Sequence, residues 1–148
     1  MEILADYGIL GLFVSAFLAA TILPLSSEVL LGVLLAQGMN PGTVLFAATT
    51  GNVLGSVTNY LLGYWGSRLV LNRVMGMSDS QVEKSVGRFR RYGVFSLLFA
   101  WVPVVGDPLT VAAGVMKIRF CLFLLLVGTG KFLRYVAVML ALKSLSIP

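Results

Sequence analysis

The sequence predicts an all-α integral membrane protein built from two inverted repeats. Each repeat is a re-entrant helical hairpin followed by one transmembrane helix, and a basic amphipathic helix links the two. Three observations predict this class. Hydrophobic residues make up 58% of the 148-residue chain and charged residues only 11%, and the mean hydropathy is +0.95, well outside the range of a soluble domain. Two proline breaks, Pro24-Leu25-Ser26-Ser27-Glu28 and Pro103-Val104-Val105-Gly106-Asp107, each set a carboxylate four residues after a proline inside apolar sequence. A single offset of 79 carries Pro24 onto Pro103, Glu28 onto Asp107 and Thr50-Gly51-Asn52 onto Thr129-Gly130-Lys131.

The length allows one membrane domain over residues 1–148, with repeat one at about 7–66, the linker at about 67–92 and repeat two at about 93–144. Tyr7 to Leu23 is apolar and reaches most of the way across a ~30 Å hydrocarbon core before Pro24 breaks it. Glu28 to Gly38 is a second apolar piece, half a span long, which Gly38-Met39-Asn40-Pro41-Gly42 turns back; together the two pieces read as a re-entrant hairpin. Thr43 to Trp65 is long enough to span. Val94 to Lys117 repeats the hairpin pattern, broken from Pro103 through Gly106 to Pro108, with a short helical piece from Leu109 to Met116. Phe120 to Leu142 is the second full span. Irregular backbone at that depth is tolerated only inside protein or beside a water-filled cavity, so the two broken tips are expected to meet.

Six of the eleven basic residues lie between Arg68 and Arg91, which places that connection on the cytoplasmic side. The basic run is a topology signal and not a nucleic-acid signature. Within it, Ser80-Gln81-Val82-Glu83 has the form of a capping box, and Val82, Val86 and Phe89 fall on one helical face. Lys84, Arg88, Arg90 and Arg91 are left for solvent or lipid headgroups. Acidic Glu2 and Asp6, followed by an apolar run that continues into the Pro24 break, argue against a cleaved secretory signal. With one cysteine, Cys121, and no histidine, the chain has no intramolecular disulfide, and zinc-protease, haem-histidine and Ser-His chemistry are excluded; no metal or cofactor is expected.

Charges inside apolar sequence point to the site. Lys131 has eleven residues of its span before it from Phe120 and eleven after it to Leu142, and Arg134 follows one turn later. A charge at the bilayer centre costs roughly 2.5 kcal/mol or more, so both cations are expected to face the bundle interior and find partners. Glu28 and Asp107 are the acids at comparable depth, and the four together form a neutral quartet. Thr49, Asn52, Ser56 and Asn59 recur at helical spacing and form a polar stripe expected to line the same cavity. Gly51 and Gly55 form a small-residue pair that permits close helix approach.

The ordered set Leu23-Pro24-x-x-Ser27-Glu28, Gly51-Asn52, Arg91-Tyr92-Gly93, Trp101-Val102-Pro103-Val104-Val105-Gly106-Asp107 and Gly130-Lys131-x-x-Arg134-Tyr135 resembles the DedA/VTT family, in its small YqaA-like branch, over nearly the whole chain. The resemblance implies facing re-entrant hairpins and movement of lipids or polyprenyl-phosphate carriers across a bacterial inner membrane, with protons as the coupling ion. It also implies that Glu28 is the acid of the first hairpin. Larger relatives place arginines around an F-x-P core in the second hairpin, where this chain has Ala100 and Gly106; Lys131 and Arg134 stand in from the neighbouring span.

The expected function is therefore that of a multi-pass, non-enzymatic lipid transporter, flippase or scramblase. Lys131 and Arg134 are expected to bind the phosphate of a lipid, Glu28 and Asp107 to exchange a proton, and Asn52, Ser56, Asn59 and Tyr135 to supply neutral hydrogen bonds. Membrane lipids are the expected partners, nucleic acid is not, and a homo-oligomer is compatible with the pattern. Two alternatives differ in class. One is a non-transporting scaffold for envelope maintenance, in which the quartet only fixes the fold. The other is an intramembrane hydrolase with paired carboxylates, because Gly106-Asp107 is similar to half of the G-x-G-D motif of membrane aspartyl proteases, although Val104 occupies the place of the first glycine.

Overall fold

The computed structural model describes residues 2–21, 27–66, 72–73 and 76–145, with side chains described from residue 8 onward. Pro24 and Arg68 lie outside the described residues. Among the described residues the α-helices run in the order α1 (Glu2–Ala19), α2 (Ser27–Ala36), α3 (Pro41–Trp65), α4 (Asp79–Tyr92), α5 (Gly106–Val115) and α6 (Phe120–Leu145), and a 3₁₀ helix (Val94–Trp101) precedes α5. The fold is all-α, with no strand among the described residues. One described helix, α6, is long and apolar enough to cross a membrane by length and composition. At 25 residues α3 is of similar length, about 37 Å at ~1.5 Å per residue, but its polar stripe dilutes its hydropathy.

The offset of 79 read from the sequence carries α2 onto α5 end for end, 27 to 106 and 36 to 115, and the start of α3 onto the start of α6, 41 to 120. The equivalence has a local cause. Both short helices begin just after a break and place an acid in the first turn, Glu28 in α2 and Asp107 in α5, where the exposed N–H groups favour negative charge. Both long helices start after a tight turn. Asn40 caps α3, its side chain accepting from the backbone N–H groups of Gly42 at 2.8 Å and Thr43 at 3.3 Å, with Pro41 in the first turn.

Two apolar cores sit at opposite ends of the bundle. Leu12, Leu31, Leu34, Val44, Ala47, Ala48 and Tyr135 form one. The other is built on Tyr60, Leu97, Leu109, Phe123, Leu126 and Val127, with Phe89 of α4 joining it. Along α3 the chain passes from the first core to the second, and along α6 from the second to the first, so the two long helices run antiparallel. Their middles carry the polar residues, which gives a polar layer between two apolar ones.

Backbones approach closely where glycine allows it. A Cβ on Gly51 would run into the Phe13 carbonyl, and one on Gly55 would meet the Phe17 carbonyl and lie 2.7 Å from the Ala20 Cβ. The Gly51/Gly55 pair is thus the seat of α1 on α3. Gly63 and Gly114 serve the α3–α5 crossing in the same way, facing Val111 and Tyr60 respectively.

Three sequence expectations are corrected. The α4 capping box is Ser78 with Gln81, not Ser80 with Glu83: the Ser78 side chain accepts from the Gln81 N–H at 3.3 Å, and the Gln81 side chain accepts from the Ser78 N–H at 3.0 Å. Both pairs fit the pattern by sequence, and the hydrogen bonds are made by the earlier one. The second hairpin break is confined to residues 102–105, so Gly106 and Pro108 belong to the first turn of α5. Proline is tolerated there because first-turn N–H groups have no intrahelical partner, while Gly106 lets the backbone close on the Ala100 carbonyl. The limb leading into that break is 3₁₀ and not α. It ends at a turn in which Val104 holds a φ of 69°, a costly conformation for a β-branched residue.

Gly51→Ala and Gly55→Ala are each expected to lower stability by about 1–3 kcal/mol, because overpacking at a backbone contact cannot be relieved by a rotamer change. Gly128→Ala, whose new Cβ meets nothing within 4 Å, is expected to leave stability unchanged. Thermal unfolding of the three variants in one detergent checks the contrast.

Candidate functional site: a charged layer between two apolar cores

The polar layer is organised around Lys131, whose side chain is only 4% exposed. Its ammonium donates to the Asn52 side-chain carbonyl and, at 3.5 Å, to the Asn52 backbone carbonyl, and it lies 3.9 Å from the Asp107 carboxylate. Asn52 and Lys131 are equivalent under the 79-residue offset, so α3 and α6 touch at matching positions near their midpoints. The Asn52 amide nitrogen donates to the Tyr135 hydroxyl at 3.0 Å, and that hydroxyl is 2.9 Å from Ser27 Oγ at the start of α2. A continuous polar chain therefore runs from Asp107 through Lys131, Asn52 and Tyr135 to Ser27.

The second ion pair joins Arg134 to Glu28, and the other arm of the guanidinium donates to the Trp101 carbonyl at 3.0 Å. One side chain of α6 thus clamps the first turn of α2 to the end of the 3₁₀ helix. The Glu28 and Arg134 side chains are each 25% exposed and Asp107 is 38% exposed, so three of the four charges can be reached from outside the protein while Lys131 is sealed behind them. Burial on this scale is tolerated because every charge has an opposite partner.

The structure brings Glu28, Asp107, Lys131, Arg134, Asn52 and Tyr135 together as the sequence suggests, and divides the quartet into two pairs. Ser56 lies one turn from Asn52 and donates to its carbonyl at 3.2 Å. Asn59 does different work two turns further along α3. Its amide nitrogen donates to the Ala20 carbonyl at 2.7 Å and contacts Thr110 Oγ1 at 3.3 Å, and Thr110 in turn donates to the Asp107 carbonyl at 2.7 Å. Asn59 thus ties the end of α1 to the start of α5 behind the ion pairs. Two buried oxygens in the stripe, Asn59 Oδ1 and Thr49 Oγ1, have no hydrogen-bond partner among the described residues. Sequence reasoning missed Ser27, Thr110 and the Trp101 carbonyl as members of the layer. Ser27 and Thr110 carry a faint signal, one residue before Glu28 and three after Asp107; a backbone carbonyl carries none.

A model of the VTT domain matches residues 23–144. The chain belongs to the VTT-domain family, also called DedA. This VTT-domain chain is 42% identical over 129 residues to "Inner membrane protein YqaA" of Escherichia coli, covering 86% of each chain. It is 35% identical over 136 residues to an uncharacterized protein of Haemophilus influenzae, covering 86% of this chain and 83% of that one. Against "Uncharacterized membrane protein YbfM" of Bacillus subtilis it is 23% identical over 140 residues. No solved structure matches the chain. Membership of this family of membrane proteins accounts for the composition. Its matched segment begins just before the first proline break and includes both ion pairs of the charged layer.

Asn52→Leu is expected to lower stability by about 1–3 kcal/mol, because it strips Lys131 of its closest acceptor in a buried site. The double variant Asn52→Leu/Lys131→Met should recover most of that loss, giving a coupling energy of similar size. Unfolding midpoints of the two single variants and the double variant, compared with the parent, measure it.

Proposed function

We propose that the protein is a multi-pass transporter of phosphate-bearing lipids in a bacterial inner membrane, non-enzymatic and coupled to protons, with its centre in the charged layer. The observation that carries this reading is the two ion pairs that the middle of α6 makes with the first turns of α2 and α5, Arg134 with Glu28 and Lys131 with Asp107, between two apolar cores. Several further features support it. The 79-residue offset, the antiparallel α3 and α6 and the two short helices that begin in the layer fit inverted repeats with re-entrant hairpins entering from opposite faces. The charges are reachable on the Glu28, Arg134 and Asp107 side. The relative from Escherichia coli is named an inner membrane protein, and the basic α4 connection fits a cytoplasmic position.

Each ion pair is a switch in this mechanism. While Glu28 is ionised it neutralises Arg134, and the site has no net attraction for an anion. When Glu28 takes up a proton, Arg134 is freed for a lipid phosphate, so the anion and the proton load together. Loss of the proton to the other side restores the pair and expels the phosphate. Asp107 and Lys131 perform the same exchange at the second pair, and the polar chain through Asn52, Tyr135 and Ser27 keeps the two tips in register. The apolar tail of the lipid stays in the bilayer, so a closed pocket for it is unnecessary.

A scaffold that moves nothing is the second reading, and the satisfaction of all four charges by partners within the protein favours it. Transbilayer movement of fluorescent phospholipid and of polyprenyl phosphate in proteoliposomes, with and without a pH gradient, separates the two. The parent is expected to move lipid faster under the gradient. Glu28→Gln, which cannot restore the pair, and Lys131→Ala are each expected to slow movement about ten-fold or more, the equivalent of ~1.4 kcal/mol in the barrier. A folded parent that moves neither lipid would leave only the scaffold, and folded variants that match a lipid-moving parent would contradict the role given to the charged layer.

A further inference from the structure

A groove of about 450 Å³ opens between α4, the 3₁₀ helix and α5, apart from the charged layer. Its size lies within the ~300–1,000 Å³ of small-molecule sites. Phe95, Phe99, Val105 and Leu109 form its walls, and Arg88 and Tyr92 stand on its α4 side. Phe95 is 73% exposed and Phe99 59%, so the bundle leaves a wide aromatic surface uncovered. Arg88 sets a cation at its edge. Lys84, Arg88 and Arg91 follow one another at spacings of four and three residues, which puts them on one face of α4, and the Arg91 guanidinium lies 5.6 Å from the Tyr92 ring centre.

We infer that this groove is a docking site for one anionic glycerophospholipid of the leaflet on which α4 lies. Its phosphate sits on Arg88, with Lys84 and Arg91 along the same face, and one acyl chain runs between Phe95 and Phe99 toward Val105 and Leu109. Charge complementarity and the shape of the walls select this occupant together. A free phosphate could use Arg88 but none of the apolar wall, and a neutral lipid could use the wall but not the cations. An extended peptide would bring backbone donors and acceptors that these side chains cannot satisfy. The position fits as well, because the groove lies where a basic amphipathic helix, suited to the membrane interface, meets a strongly apolar segment. The bound lipid would fasten α4 to the second hairpin across the Gly93 junction, where φ is 71°.

The test uses phosphatidylglycerol carrying a diazirine in one acyl chain, with the full-length protein in phosphatidylcholine nanodiscs, and adducts located by mass spectrometry. Adducts are expected on the segment spanning Tyr92 to Leu109, suppressed by unlabelled phosphatidylglycerol and unaffected by added phosphatidylcholine. Arg88→Gln is expected to reduce them about five-fold, as the loss of one cation near a lipid surface implies. Val105→Trp, which fills the inner end of the groove, should reduce them as well and carries the test if Arg88→Gln fails to fold. Glu28→Gln should leave them unchanged, which separates this site from transport. Adducts spread evenly over α3 and α6, equal labelling by a phosphatidylcholine probe, or labelling indifferent to both groove variants would overturn the proposal.

Discussion

Placing a lysine ammonium at the middle of an apolar 26-residue helix is the constraint on which the rest of this structure depends. An unpartnered charge there would cost at least a few kcal/mol, so the fold must deliver acceptors to that depth. It does so from two directions. Asn52 comes from the midpoint of α3, and Asp107 comes from the first turn of a helix that begins inside the protein. That requirement places the break of the second hairpin at residues 102–105, because a carboxylate on a continuous helix would stand elsewhere. Arg134, one turn further on, makes the matching demand on Glu28 and the first hairpin. The two apolar cores then close over the layer from either end.

Close approach of the helices makes such a layer possible. Glycines at 51 and 55 remove the Cβ atoms that would hold α1 away from α3, and those at 63 and 114 do the same where α5 crosses α3. Beside these contacts the polar chain joins α3 to α6 and α6 to α2 through Asn52, Tyr135 and Ser27. Asn59 Oδ1 has no hydrogen-bond partner among the described residues, while its amide nitrogen serves both Ala20 and Thr110. Buried polar atoms of this kind are infrequent.

Much of this was legible in the sequence because the relevant signals are strong against an apolar background. A lysine, an arginine and two carboxylates in hydrophobic runs stand out, and the 79-residue offset anticipates helix ends as well as motifs. Asn52 and the Gly51/Gly55 pair were legible through helical spacing, and Tyr135 through the motif Gly130-Lys131-x-x-Arg134-Tyr135. Which acid takes which cation was not, because Glu28 and Asp107 occupy equivalent places and only three-dimensional packing gives Arg134 to one and Lys131 to the other. The 3₁₀ limb was hidden because its composition, Val94 to Trp101, suits an α-helix equally well. Pro108 read as part of a break since proline interrupts helices everywhere except in the first turn, and nothing local told which case applied. The Trp101 carbonyl left no trace, as backbone acceptors are independent of residue type.

The central claim is that the layer recognises the phosphate of a lipid and not its tail. Competition in proteoliposomes tests this most directly, with polyprenyl phosphate or the corresponding polyprenol added against a fluorescent phospholipid whose transbilayer movement is followed in the parent protein. The account expects the phosphate to slow the reporter and the alcohol, with the same tail and no charge, to leave it unchanged. Equal inhibition by both would mean that the tail and not the charge is recognised, and would contradict a role for Arg134 and Lys131 in binding the cargo.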